Sequence, residues 1–323
     1  MINENFGLSY ENIVLKHNRG IVKSRSECNV SIDIGGIKLS SPVIMSNMEY
    51  LQKPEILSIF NEEKWGYIYH RLKGTDDIYN FLFSIQDWHF KSICVGIQEQ
   101  DFQLLNKIKL SGLKLDCLTI DVAFVHNDFA YSFVKMARAL FPNVYLIAGN
   151  FDSPESATEL LSIGVNCGKF GIGVSKKCAT RPRTGFGTMM VSDLISVKEV
   201  VGDKLDILSD GGLTVLDSGE TCIGDAFKAL NFGAKAILSA SMFQRVTELA
   251  DSNGNILCYG NSTARAKNKD KNDEGFEFFI KTDGRNLKQT MHRIIDSLQS
   301  SCSYAGISDI KNASGSCGYK VVF

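Results

Sequence analysis

Eight short apolar runs, spaced almost evenly along the chain, constrain the fold more than any other feature of the sequence. They are Pro42–Ser46 (PVIMS), Gly66–His70 (GYIYH), Ser92–Ile97 (SICVGI), Cys117–Val122 (CLTIDV), Val144–Asn150 (VYLIAGN), Cys167–Gly173 (CGKFGIG), Leu205–Gly211 (LDILSDG) and Ala234–Ser241 (AKAILSAS). Their starting positions lie 24, 26, 25, 27, 23, 38 and 29 residues apart. Runs this continuous read as strands buried on both faces, the pattern of a parallel sheet. Amphipathic helical patterns fill the intervals, at Lys53–Glu63, Phe102–Ser111, Tyr131–Phe141, Ser153–Ile163, Val191–Val201 and Cys222–Phe232. Eight strand–helix units over about 200 residues predict an α/β chain folded as a (β/α)8 TIM barrel. A doubly wound sheet is the alternative. It would carry a phosphate fingerprint after an early strand, and neither G-x-G-x-x-G nor G-x-x-x-x-G-K-[ST] occurs.

Composition narrows the classes of function. With 323 residues, 44% of them hydrophobic, the chain has material for one large core, and no segment reads as an independent second domain. Thirty-five basic residues against 36 acidic ones give a net charge of −1. That balance argues against a nucleic-acid or membrane-surface partner held by bulk charge. Basic residues form no stripe with aromatics suited to stacking bases. No uncharged run reaches the length of a membrane span, and the polar stretch Met1–Ser9 has no apolar signal core. Nine cysteines, at 28, 94, 117, 167, 178, 222, 258, 302 and 317, form no Cys-x-x-Cys pair. An odd count without that spacing predicts free thiols in a reducing cytoplasm and no zinc site.

The rhythm breaks twice. The long sixth interval places an extra loop, 174–190, after the sixth strand. A polar stretch, 251–281, follows the eighth and reads as a mobile flap with strand character at Phe276–Ile280; Asn286–Ser300 then reads as a closing helix. Residues 1–41 precede the barrel as an N-terminal segment.

In such a barrel the functional residues sit in the loops at the carboxyl ends of the strands. That rule selects His70-Arg71, Asp121, Gly149-Asn150, the Cys178 loop, Asp210-Gly211-Gly212 and Ser239–Met242. Cys178 is the sharpest candidate. It lies in a loop beside Lys176, Lys177, Arg181 and Arg183, and nearby cations favour a nucleophilic thiolate. Cys94, Cys117 and Cys167, by contrast, lie inside strand runs and read as core. Gly211 and Gly212 end the seventh strand, where glycines let backbone N–H groups approach an anion. Asp210 reads either as a ligand for a hydroxyl-bearing group or as part of an ordinary turn. Asp121 reads either as a site carboxylate or as an organiser of its loop. His70 reads as structural; the other histidines form no ligand pattern.

Taken in order, these segments resemble the IMP dehydrogenase/GMP reductase family over nearly the whole chain. The resemblance rests on Leu8-Ser-Tyr-Glu-Asn-Ile-Val-Leu15 with Lys23-Ser-Arg-Ser-Glu27, Pro42-Val-Ile-Met-Ser-Asn-Met48 and Ala148-Gly-Asn150. It continues through Lys169-Phe-Gly-Ile-Gly173, Cys178-Ala-Thr-Arg181, Thr184-Gly-Phe-Gly187 and Ser209-Asp-Gly-Gly212. It ends with Tyr259-Gly-Asn-Ser-Thr263, Asp273-Glu-Gly275 and Ser301-Cys-Ser-Tyr-Ala-Gly306. The reductase branch is nearer, because there is no room for the dehydrogenase's inserted domain and no Arg-Tyr pair in 251–281.

The resemblance implies an NADPH-dependent reduction of GMP to IMP and ammonia by a cytoplasmic homotetramer. Cys178 would attack carbon 2 of the purine, with Thr180 and Glu274 delivering the proton to the leaving amine. Asp210, Gly211, Gly212, Ser241, Ser262, Thr263 and Gly275 would contact the nucleotide. Arg71 and Asp121 would lie near the nicotinamide, and potassium would bind the loop at Gly173, Ser175 and Cys178.

The chain also departs from the family pattern. Arg71 replaces a lysine, Ser175 a glycine, Lys176 a phosphate-binding serine, Ala240-Ser241 a Gly-Gly pair and Asn261 a methionine. Lys176 could then pair with the substrate phosphate or stand where the cation would. The alternatives are a paralogue acting on a deoxy or modified purine nucleotide, and an IMP dehydrogenase.

Overall fold

In this computed structural model, residues 7–174, 178, 180–260, 263 and 276–322 are described. The strands are β1 (Ile13–Leu15), β2 (Ile32–Ile34), β3 (Ile37–Leu39), β4 (Val43–Met45), β5 (Ser92–Val95), β6 (Cys117–Asp121) and β7 (Tyr145–Phe151), followed by β8 (Cys167–Phe170), β9 (Asp206–Asp210), β10 (Ala236–Ser239), β11 (Asn255–Tyr259), β12 (Glu277–Lys281) and β13 (Tyr319–Val321). The helices are α1 (Pro54–Glu62), α2 (Thr75–Ser84), α3 (Glu99–Ser111), α4 (Asp128–Leu140), α5 (Pro154–Ser162), α6 (Thr180–Thr184), α7 (Ser192–Val201), α8 (Gly224–Asn231) and α9 (Leu287–Ala305).

Seven strands form one parallel sheet in the order β4-β10-β9-β8-β7-β6-β5. The predicted second strand, Gly66–His70, joins the two edges. Met45 donates to the Gly66 carbonyl and Ile68 to that of Met45, while Cys94 donates to the Tyr69 carbonyl on the other side. Only Tyr67 and Tyr69 make strand bridges, one to each neighbour. The arrangement is TIM-barrel-like, and every predicted run falls on one of its eight positions. Strands β4, β5 and β10 are buried at every residue, as runs covered on both faces must be.

The helices follow local signals. Before α4, Asn127 accepts from the Ala130 N–H at 2.9 Å, and Ala130, Phe133, Val134 and Ala137 form the buried stripe. Before α5, Ser153 caps Ser156 and Pro154 takes the first turn, where its missing N–H is harmless. Helix α9 starts with a capping box between Asn286 and Gln289 and stops at left-handed Gly306.

Residues outside the sheet meet it at particular points. Tyr10 is fully buried and its hydroxyl lies 2.9 Å from the Ser209 hydroxyl on β9. Strand β1 pairs antiparallel with β13. After β10 comes the antiparallel pair β11–β12, which runs from Asn255↔Lys281 to Tyr259↔Glu277; β12 lies one residue beyond the predicted strand at Phe276–Ile280. All nine cysteines are free; Cys178 and Cys222 are half-buried and the others buried. Among the described residues, no helix is long and apolar enough to cross a membrane.

Candidate active site

The carboxyl ends of β6 to β9 carry a tight polar network. In the sheet register Asp121 faces Gly149, and Gly149 faces Lys169. A side chain on Gly149 would overlap the Lys169 backbone, so only glycine lets β8 approach this closely. Lys169 is buried, and its Nζ lies 2.9 Å from Asp121 Oδ1, from Asp210 Oδ2 and from Asn150 Oδ1. Asn150 Nδ2 donates to Asp210 Oδ2 at 2.8 Å and to the Gly171 carbonyl at 2.6 Å. Arg71 reaches the other oxygen of Asp121 at 3.4 Å. Two cations and two carboxylates thus neutralise one another.

Burial alone would discharge these groups, yet the pairing outweighs it. The Lys169 ammonium is held above its ordinary range because Asp121 and Asp210 overcome its desolvation. The Asp121 carboxyl is held below its range because Lys169, then Arg71, overcome the same effect. Lys169 therefore stays cationic at neutral pH and fixes the direction of both carboxylates.

At the end of β9, Gly211 and Gly212 have φ of +76° and +73°, and a Cβ on Gly212 would lie 2.6 Å from Met190 Cγ. The Gly211 N–H donates to the Leu238 carbonyl at 3.0 Å, so that donor is engaged within the sheet end rather than turned toward a ligand. Ser241 is half-buried, its hydroxyl 3.4 Å from that of Ser239.

The loop after β8 carries Cys178, whose thiol donates to Thr180 Oγ1 at 3.3 Å, with Thr180 opening α6. Arg181 donates to the Met189 sulfur at 3.3 Å, and Arg183 is exposed. Gly173 has φ of +65°, and a Cβ there would sit 3.3 Å from the Phe186 carbonyl, so the Thr184–Gly187 stretch folds back over the loop's start. Thr263 is buried, with its hydroxyl on the Gly260 carbonyl at 2.8 Å. Ser175, Lys176, Ser262, Glu274 and Gly275 lie outside the described residues.

The structure thus joins Arg71, Asp121 and Asp210 in one network and Cys178 with Thr180 in another. Among the described residues no hydrogen bond or ion pair links the two. Asn150 was among the strand-end residues the sequence selected; Lys169 was not singled out as a site residue, although a lysine inside the apolar run CGKFGIG was a readable signal. Also unforeseen is the contact from the Tyr259 hydroxyl on β11 to the Glu49 carboxylate, which Lys73 Nζ approaches at 3.2 Å. His70 is fully buried, and its Nδ1 accepts from the Leu72 N–H at 3.3 Å. Burial pushes its pKa down to about 4, so the ring is neutral at pH 7.

Parallel strands with ionised side chains gathered at their carboxyl ends define the class: a barrel-like α/β protein with its polar site at that end. A family profile described as the IMP dehydrogenase / GMP reductase domain matches residues 86–318. A GMP reductase of Staphylococcus epidermidis is 33% identical over 315 residues, covering 94% of this chain and 93% of that protein. Those of Staphylococcus aureus and Staphylococcus carnosus are 31% and 30% identical, over 94% and 93% of this chain and 93% and 92% of their own lengths. The chain belongs to the IMP dehydrogenase/GMP reductase family.

Proposed function

We propose that this chain is a GMP reductase-like oxidoreductase that reduces GMP to IMP and ammonia with NADPH. The observation that carries the reading is the Cys178 thiol held 3.3 Å from the Thr180 hydroxyl, in the loop at the carboxyl end of β8. A thiolate at that place attacks carbon 2 of the purine, forming a C–S bond. The 2-amino group leaves as ammonia after Glu274, with Thr180 as partner, protonates it. Hydride added at carbon 2 then lets the sulfur depart as thiolate, which resets the enzyme.

The nicotinamide supplies the hydride. Its carboxamide needs one donor and one acceptor, and the Arg71–Asp121 pair, with side chains 37% and 14% exposed, offers both at the edge of the network. Asp210, fixed by Lys169 and Asn150, presents a carboxylate to a ribose hydroxyl. Gly212, Ser241 and Lys176 serve the ribose and phosphate, and Ser262, Thr263 and Gly275 the base, while Gly211, whose N–H is held by Leu238, shapes the turn that carries Gly212. Backbone carbonyls of Gly173, Ser175 and Cys178 are the neutral oxygen donors a potassium ion takes. Residues 1–323 then form one barrel domain with an N-terminal segment at 1–41, a catalytic loop at 174–190 and a flap at 251–281. The assembly is a cytoplasmic homotetramer.

The departures at Arg71, Lys176, Ala240-Ser241 and Asn261 favour a second reading, a deoxy or modified purine nucleotide as substrate. A panel of purine nucleotides with NADPH, followed by the cofactor's absorbance, separates the two; IMP with NAD is run in reverse to check for dehydrogenase activity. Oxidation of NADPH with GMP ahead of the other nucleotides supports the first reading, and no oxidation with any purine nucleotide overturns both.

A further inference from the structure

The segment after β4 and the end of β11 meet at one side chain, Glu49. It opens a short turn, Glu49–Leu51, in which the Leu51 N–H donates to the Met48 carbonyl and Leu51 is fully buried. Gln52 ties that turn to the strand ends. Its Nε2 donates to the Ser46 and Ile68 carbonyls at 3.2 and 2.6 Å, and its Oε1 accepts from the His70 N–H at 2.8 Å. Lys73, just beyond the Gly66–His70 run, brings its Nζ to 3.2 Å from Glu49 Oε1. The Tyr259 hydroxyl donates to Glu49 Oε2, and the Tyr259 ring centre lies 5.5 Å from that of Tyr50. The carboxylate thus gives one oxygen to each partner. Partial burial would raise the Glu49 pKa, but the Tyr259 hydroxyl and the Lys73 ammonium outweigh it and keep the group ionised at neutral pH.

Tyr259 is the last residue of β11, and a tight turn follows it. The Thr263 N–H and hydroxyl both donate to the Gly260 carbonyl, at 3.1 and 2.8 Å, and Thr263 is 1% exposed. The hairpin that carries this turn has two strands, a form that is marginal without support from the rest of the molecule. Arg245 supports the Asn255↔Lys281 end, where its Nε donates to the Lys281 carbonyl at 3.0 Å. Glu49 supports the Tyr259↔Glu277 end, from which Gly260 and Thr263 depart. Ile256 and Cys258 bury their side chains between the two, but apolar contact has no preferred direction. A hydrogen bond to a carboxylate that Lys73 also holds does have one.

We propose that Glu49 is a positioning residue for the purine base: by holding Tyr259 it sets where Gly260 and Thr263 stand. Glu49 acts through Tyr259 and touches no substrate. The role rests on the function proposed above, through the Thr263 contact with the base. A small misplacement of the base moves carbon 2 away from the Cys178 thiol, so the same residue governs orientation for attack.

The test is calorimetric titration of the full-length protein with GMP and with ribose 5-phosphate, which keeps the sugar and the phosphate and lacks the base. Ribose 5-phosphate is read by its displacement of GMP, which brings weak binding into range. Tyr259→Phe removes one oxygen and leaves the ring beside Tyr50; Glu49→Ala removes the carboxylate. Each should weaken GMP binding by about fivefold to tenfold and leave ribose 5-phosphate binding unchanged. The double variant should bind GMP no more weakly than either single one, because both remove the same contact. Glu49→Gln keeps an acceptor for the hydroxyl and should recover most of the lost affinity. A role in the fold alone moves both ligands together, so equal losses for GMP and ribose 5-phosphate overturn the proposal. Unchanged GMP binding in Tyr259→Phe, or additive losses in the double variant, overturns it as well. Tyr259→Phe and Glu49→Gln carry the test if Glu49→Ala fails to fold. NADPH oxidation on the same samples separates this role from the function it rests on. A wild type that binds GMP yet oxidises no NADPH with any purine nucleotide refutes the proposed reaction alone. One that reduces GMP while its Tyr259→Phe variant binds GMP equally well refutes the Glu49 role alone. A wild type that binds no purine nucleotide overturns both.

Discussion

The strand ends and the loop after β8 hold their polar groups in opposite ways. Asn150, Lys169 and Asp210 each bond to at least two others of the strand-end set, Asp121 bonds to Lys169 and to Arg71, and Lys169 is almost wholly out of solvent. Cys178 and Thr180 share one contact in a loop, both half-buried. A group that must keep one orientation gains from many partners. A nucleophile must exchange its partner for a substrate during each turnover, so a single weak hydrogen bond suits it better. The division suggests that the strand network orients ligand while the loop pair carries out bond making.

Substitutions can break this contrast from either side. The largest effect should come from Cys178→Ser: turnover falls by about a thousandfold or more because oxygen is the poorer nucleophile and leaving group, while the unfolding midpoint in urea stays near that of the wild type. Wild-type turnover in this variant would remove the covalent mechanism. Lys169→Met should do the reverse to the fold, since it leaves Asp210 without its counter-charge and Asp121 with only the longer contact to Arg71. A loss of about 3–5 kcal/mol is expected, measured by urea unfolding; an unchanged midpoint would show that the network is not what holds the strand ends.

The pH dependence sharpens the same contrast. His70 titrates near 6.5 when unfolded and near 4 when folded, so between these values the unfolded chain binds the extra proton. Stability should be flat just above pH 6.5 and fall as the pH drops toward 4. Asp121 adds a loss of the same sign at lower pH, as acid protonates a carboxylate that the fold holds ionised. Unfolding free energies at a series of pH values should show the first slope diminished in His70→Leu. The smallest effect belongs to Thr180→Val: turnover falls about tenfold with the loss of one hydrogen bond to the reacting sulfur, and stability changes by less than about 0.5 kcal/mol. A thermal shift as large as that of Lys169→Met would place Thr180 with the structural residues instead.

Much of this was readable in the sequence because parallel strands buried on both faces leave continuous apolar runs. The run 144–150 became β7 and the run 205–211 became β9 within a residue or so of their expected ends. Gly66–His70 was found in place but not as a regular strand, since only Tyr67 and Tyr69 bridge to neighbours. Cys178 stood out because it lies outside every strand. Lys169 did not, because its charge is cancelled by carboxylates on β6 and β9, and single-chain periodicity says nothing about partners that far away. The engaged N–H of Gly211 was illegible for the same reason: its acceptor, Leu238, belongs to another strand. The contact of Tyr259 with Glu49 likewise joins segments that only the folded chain brings together.

The pairing of β1 with β13 has a consequence for how the molecule is made. Ile13 meets Val321, so β1 leaves the ribosome long before its partner and stays unpaired until nearly all of the intervening chain has been translated. Through that interval the backbone donors and acceptors of Ile13–Leu15 stay in water, and Val14 keeps an apolar side chain outward. Contacts separated this far in sequence form slowly, because the whole intervening chain must first be confined. The barrel-like sheet, whose strands pair mostly with near neighbours, can consolidate earlier. The seam between the two ends is then the final ladder to form during biosynthesis and the first that a ribosome stalled before Tyr319 would leave open.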